Sequence, residues 1–184
     1  MPATALALSR TCNLGDFPGA LSVANWQERL AHAAWERWVA DYHVRTRKQS
    51  LVVNYSGCAF QAPGPSAIYR YRGLAEDIER TVSAIYALTV VDKVEAPVRF
   101  LTRSAQLLRP RGLLLLTFAF WDAEGEDVAA GHEERERIYD ATSWKKLIAE
   151  ARRAGFQTFG GVDWRYHGDL LSDHSLGSLV LTRR

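Results

Sequence analysis

Residues 86–118 read YALTVVDKVEAPVRFLTRSAQLLRPRGLLLLTF, and the fold follows from how this stretch divides. Its centre repeats at helical spacing: Val98, Leu101, Ala105 and Leu108 return every three or four residues, with polar and basic residues between them. Pro97 is acceptable in the first turn of such a helix, where its missing N–H costs nothing. Arg109-Pro110-Arg111-Gly112 stops it, because proline cannot continue the hydrogen-bond ladder and glycine tolerates the reversal. Leu113–Phe120 then runs apolar without alternation. A strand apolar on both faces belongs inside a sheet covered on both sides. Upstream, Val82–Val91 is a β-rich run. The stretch therefore predicts strand, helix, strand: one unit of a parallel α/β sheet.

Outward from this unit the pattern continues. Leu51–Tyr55 is a short β-type run, and Ala67–Arg72 alternates apolar and polar residues up to Gly73. Residues 122–140 are polar and charged and read as a loop. Thr142 or Ser143 is expected to cap a further helix, with Trp144, Leu147, Ile148 and Ala151 on one face and Arg152-Arg153 before a Gly155 stop. Gln157–Tyr166 and Ser178–Thr182 are strand candidates with no helix between them, so an antiparallel edge pair is expected. The first 25 residues read as an irregular lead-in. A helix is expected over residues 26–42, capped by Asn25, and it carries Trp26, Trp35 and Trp38. Chain length and patterning predict a single domain over residues 1–184, with residues 1–50 the lead-in and Trp-rich helix and residues 51–184 the sheet core.

The composition narrows the class. The 184 residues are 47% hydrophobic and 24% charged, with a formal net charge of +2, ordinary values for a globular domain. A near-neutral total gives no whole-chain argument for a nucleic-acid partner. No run approaches the roughly 20 apolar residues that a membrane span requires. Cys12 and Cys58 are too few for a disulfide framework, and reduced thiols in the cytoplasm are the expectation. No metal-ligand spacing stands out: His132 beside Glu133 and Glu134 reads first as a solvated charged segment, and as a base or ligand only second.

In this order the segments resemble class I S-adenosylmethionine-dependent methyltransferases. Residues 86–118 are similar to the family's fourth strand, following helix and fifth strand. Leu108-Arg109-Pro110-Arg111-Gly112 stands where the family has a Leu-Arg-Pro-Gly-Gly type turn, with Arg111 in place of the first glycine. ARRAGF at residues 151–156 resembles the helix end before the sixth strand, and GSLVLTRR at residues 177–184 resembles the seventh strand. The resemblance covers residues 67–184. It implies a Rossmann-like sheet, N-terminally truncated or remodelled, with an antiparallel C-terminal edge hairpin.

The resemblance also defines what is missing. The family holds its cofactor with a glycine-rich loop after the first strand and an acid ending the second strand, which takes the ribose hydroxyls. The nearest loop here, Asn54-Tyr55-Ser56-Gly57-Cys58, has one glycine and a bulky tyrosine. The chain before residue 86 is also short by about a strand and a helix. Gly73-Leu74-Ala75-Glu76-Asp77 resembles the family's stretch after the third strand, with Leu74 replacing its acid. On the resemblance, the positions that would line a cofactor are Asn54, Gly57, Ala75, Glu76, Leu88 and Thr89. Asp92, Trp121 and His132 are the candidate catalytic groups, although Asp92 and Glu95 read first as the cap and first-turn acid of the helix that follows. Two functions are expected from this pattern. One is a degenerate, non-catalytic methyltransferase-like protein, a structural or partner subunit that self-associates or binds another protein through the Trp26/Trp35/Trp38 helix and takes no cofactor. The other is an active, divergent small-molecule methyltransferase using S-adenosylmethionine.

Overall fold

The structure, a computed structural model, describes residues 11–12, 50–54, 66–70, 81–88, 90–92, 94–120, 139–162 and 175–184. Their elements are β1 (Thr11–Cys12), β2 (Ser50–Asn54), β3 (Ser66–Arg70), β4 (Val82–Leu88), α1 (Pro97–Leu107), β5 (Leu108–Phe120), α2 (Ala141–Arg153), β6 (Phe156–Thr158) and β7 (Ser175–Arg183). The strands form one seven-stranded sheet in the order β3-β2-β4-β5-β7, with β6 and β1 both on the outer side of β7. β3, β2, β4 and β5 are parallel, whereas β7 is antiparallel to β5, β6 and β1. The expected antiparallel edge pair is β6–β7. The pairing of Thr11 and Cys12 with Gly177 and Leu176 was not expected from an irregular lead-in.

The middle of the sheet is buried on both faces, as the unbroken apolar run of β5 requires. One face carries Ile85, Ala87, Leu114, Leu116, Phe118, Leu179 and Leu181, and against it pack Phe100 and Leu101 of α1 and Trp144, Leu147 and Ile148 of α2. The other face, with Tyr86, Leu115, Thr117, Ser178 and Val180, is equally buried but more polar. Trp144 is fully buried and stands edge-on to Phe118 and Phe120, with ring centroids 5.1 and 5.3 Å away. Gly177 is required by the same cluster. A Cβ there would lie 2.5 Å from Cε2 of Phe118, the residue opposite it in register.

The helices correct the expectation in detail. In α1 the buried residues are Phe100, Leu101, Ser104, Ala105 and Leu107, while Val98 is half exposed. Leu101 and Ala105 do repeat as expected, and the apolar stripe is rotated toward Phe100. α1 has no side-chain cap, and Ala96 occupies its N-cap. Asp92 and Glu95 therefore do not cap it. In α2 the cap is Asp140 rather than Thr142 or Ser143. The Ser143 backbone N–H donates to Asp140 Oδ1 at 2.6 Å, and the Asp140 N–H donates to Ser143 Oγ at 2.8 Å, a reciprocal capping box. The four residues expected on its apolar face, Trp144, Leu147, Ile148 and Ala151, are the four it buries.

Arg109–Gly112 does not separate helix from strand. It forms a bulge inside β5, across which the pairing jumps from Val82–Leu108 to Ala84–Leu113. Gly112 has backbone on two sides: a Cβ there would sit 2.8 Å from the Arg109 carbonyl oxygen and 3.1 Å from that of Ser83. Arg111 has φ 62°. A side chain in that left-handed conformation costs about 1–2 kcal/mol, which glycine does not incur.

Candidate functional site

The chain passes from β2 outward to β3, returns to β4, and continues outward on the opposite side to β5. The sheet therefore reverses its winding between β2 and β4. In open α/β sheets, ligands bind in the crevice outside the carboxyl ends of the strands at such a reversal. Here that point is occupied by Asn54 and Leu88, which are partners in register. These are two of the six positions expected to line a cofactor, and the fold brings them together. Gly57, Ala75, Glu76 and Thr89 lie outside the described residues, as do Trp121, His132 and the Trp26/Trp35/Trp38 segment.

Asp92 follows the end of β4 and is buried, with 3% of its surface exposed; it is the only buried carboxylate among the described residues. Its neighbours Val90, Val91 and Val94 are core residues. Tyr139 fixes this segment. It bridges to Phe120, its ring lies 5.0 Å from that of Phe118, and its hydroxyl donates to the Val91 carbonyl at 3.4 Å. The segment carrying Asp92 is thus tied to the start of α2. Tyr139 was not singled out in the sequence, because it ends a polar stretch and carries no periodic signal.

The strand order changes the meaning of β3. The parallel part, β3-β2-β4-β5, corresponds to 2-1-4-5 of the doubly wound order 3-2-1-4-5. β3 therefore holds the place of the second strand, not the third, and no described strand lies beyond it. Gly73–Asp77 follows a second-place strand, which corrects the comparison made for it in the sequence. The position where the family keeps a ribose-binding acid is the end of β3. Arg70 stands there, in register with Asn54. From Ser66 to Asp77 the chain reads SAIYRYRGLAED, with two arginines before its first carboxylates, Glu76 and Asp77.

An arginine thus holds the position at which the family has an acid. Ribose hydroxyls facing a strand end require an acceptor, and arginine offers five donors and no acceptor. Among the described residues there is also no group of three or more metal-ligating side chains.

Known structures agree with the architecture. The chain is similar to the 1,6-didemethyltoxoflavin-N1-methyltransferase of Burkholderia thailandensis, solved with 1,6-didemethyltoxoflavin and S-adenosylhomocysteine. The TM-score is 0.58 at 12% identity, over 87% of this chain and 81% of that one. It is similar to the cyclase SpnF, with TM-score 0.55 at 15% identity over 87% and 83% of the two chains. A methyltransferase of Thermotoga maritima that depends on S-adenosylmethionine gives TM-score 0.52 at 12% identity, over 87% and 92%. No protein-family model matches the sequence, and no curated protein matches it. The chain has the Rossmann-like fold of class I S-adenosylmethionine-dependent methyltransferases. At these identities the likeness establishes the fold and leaves the activity to the chain's own residues. None of its described helices is long and apolar enough to cross a membrane.

Proposed function

We propose that the chain is a degenerate, non-catalytic methyltransferase-like protein that serves as a structural or partner subunit in the cytoplasm. The observation that carries this reading is Arg70. It ends the strand in second place, at the position where the family has the acid that accepts from the ribose. Each buried hydrogen bond left unmade costs about 1–3 kcal/mol. A cradle lacking both its glycine loop and its acid therefore loses most of its hold on the cofactor. The Trp26/Trp35/Trp38 segment is the proposed contact for a second copy or another protein, since aromatic residues concentrate at interfaces.

A second reading, an active divergent methyltransferase for a small molecule, has one observation in its favour. Asp92 is a buried carboxylate placed just past β4, beside the winding reversal. In that reading Asn54, Leu88 and Asp92 would face the ligand, and the acceptor for the ribose would come from Glu76.

Differential scanning fluorimetry of the whole chain with S-adenosylmethionine and S-adenosylhomocysteine separates the two. A ligand at 100 times its dissociation constant stabilises by about 2.7 kcal/mol, which is a shift of several degrees. The non-catalytic reading predicts no shift with either compound. A saturable shift, accompanied by methyl transfer to any small acceptor, establishes the second reading instead. Native mass spectrometry tests the subunit role. An oligomer that Trp35→Ala and Trp38→Ala dissociate is the expected result, and a monomer at all concentrations argues against self-association.

A further inference from the structure

Both described helices and β7 end at the amino edge of the sheet, the end opposite the winding reversal. β4 separates the two ends by roughly 20 Å. Arg183 donates from its guanidinium to the Leu108 carbonyl, which joins the end of β7 to the start of the bulge. The Arg184 N–H donates to the Gly155 carbonyl at 3.0 Å, and the Gly155 N–H donates to the Arg152 carbonyl at 3.1 Å. These bonds bring three stretches together that are far apart in sequence: Arg109 and Arg111, Arg152 and Arg153, and Arg183 and Arg184. Six arginines thus share one edge. Among the described residues of these three stretches the one acid is Glu150, which pairs with Arg153. Arg109, Arg111, Arg152 and Arg184 are exposed, and no ion pair among the described residues joins any of the four.

Two features indicate a ligand rather than an indifferent surface. All six cations are arginine, whose planar fork binds phosphate in bidentate fashion. Arg111 is also held at φ 62°, where glycine would be unstrained, and strain kept in a side chain at a surface site points to function. The patch is poor in apolar groups. Of the two large apolar side chains exposed among the described residues, Val98 lies at the far end of α1 and Phe159 lies beyond the end of β6. Protein interfaces are built around an apolar centre from which charges are depleted. A phosphodiester backbone needs no such centre.

We infer that the arginine edge formed by Arg109, Arg111, Arg152 and Arg184 binds the phosphate backbone of nucleic acid. The site lies far from the crevice at Asn54 and Leu88, so the inference does not depend on whether a cofactor binds there. Recognition through phosphates alone carries no sequence preference and falls steeply with salt.

Fluorescence anisotropy of the whole chain with a labelled oligouridine and with a labelled mixed-sequence DNA duplex, each of about 20 nucleotides per strand, tests this. At about 50 mM salt the expected dissociation constant is micromolar, and its logarithm should change with that of the salt with a slope of about 3 for four contacts. The variant Arg109→Gln/Arg111→Gly/Arg152→Gln/Arg184→Gln is expected to bind at least about tenfold more weakly. Arg111→Gly alone separates binding from folding: it should raise the melting temperature and still lower the salt slope by just under one. The inference is overturned if the wild-type chain binds neither probe at low salt, or if the fourfold variant binds as well as wild type. Tighter binding to phosphatidylserine vesicles than to either oligonucleotide also overturns it.

Discussion

β5 and β3 belong to one sheet, with two strands between them, and differ in which of the family's features they carry. Around β5, the features that make the fold pack are present: the apolar run, Gly112 wedged against two carbonyls, Gly177 under the Phe118 ring, and Trp144 closing the aromatic cluster. Around β3, the feature that would hold an adenosyl ligand is replaced by a cation, Arg70, at the strand's end. On the proposed reading, packing and ligand recognition are separable demands on a sheet.

If packing is what β5 preserves, the largest losses should come from its aromatic cluster. Trp144→Ala is expected to cost about 3–5 kcal/mol in urea unfolding, since the fully buried ring leaves a cavity. A cost under about 1 kcal/mol would mean that the region is loosely packed and would remove the contrast. Gly177→Ala sharpens it from the other direction. Its new methyl overlaps the Phe118 ring and should cost about 1–3 kcal/mol.

Smaller effects are expected at the helix start and the bulge. Asp140→Ala removes the α2 cap and should cost about 1 kcal/mol. The Ser143 side-chain hydrogen bond, then the Ser143 backbone bond, holds the Asp140 carboxyl below its ordinary value of 3.8. A depressed folded value means that this contribution is complete above the unfolded carboxylate range and is lost as the pH falls through the folded value. The stability gap between wild type and Asp140→Ala should therefore be constant near neutrality and close below about pH 4. Asp140→Ser, a neutral cap, should remove that pH dependence. Arg111→Gly is expected to stabilise by up to about 1 kcal/mol, because relief of the left-handed strain is partly offset by glycine's greater freedom in the unfolded chain. A melting curve unchanged or lowered by this substitution would mean that the guanidinium contributes contacts that outweigh the strain.

What the sequence reveals divides along the same line. Local period is legible from one segment at a time, so the unalternating leucines of β5 and the 144/147/148/151 stripe of α2 could be read directly. Asp140 was missed because two hydroxyl residues just beyond it offered equally good caps, and only the backbone decides which comes first. The rank of β3 in the sheet depends on where the chain crosses between strands, and no local pattern carries that. Its rank is what turns Arg70 from an ordinary alternating polar residue into a substitution at a ligand position. The arginine edge was hidden for a similar reason: its members come from three stretches that meet only through the bonds of Arg183 with Leu108 and of Arg184 with Gly155. A total charge near zero hides any such cluster. Of the candidate site, the pair Asn54 and Leu88 was readable because both end strands whose β pattern was clear.

The separation of scaffold from ligand site is tested most directly by isothermal titration of S-adenosylmethionine into the whole chain. No saturable heat is expected up to about 1 mM, a binding free energy weaker than about −4 kcal/mol. A one-to-one isotherm with a micromolar dissociation constant, abolished by Asn54→Trp, would contradict it, because the reversal between β2 and β4 would then still hold the adenosyl group despite the arginine at the end of β3.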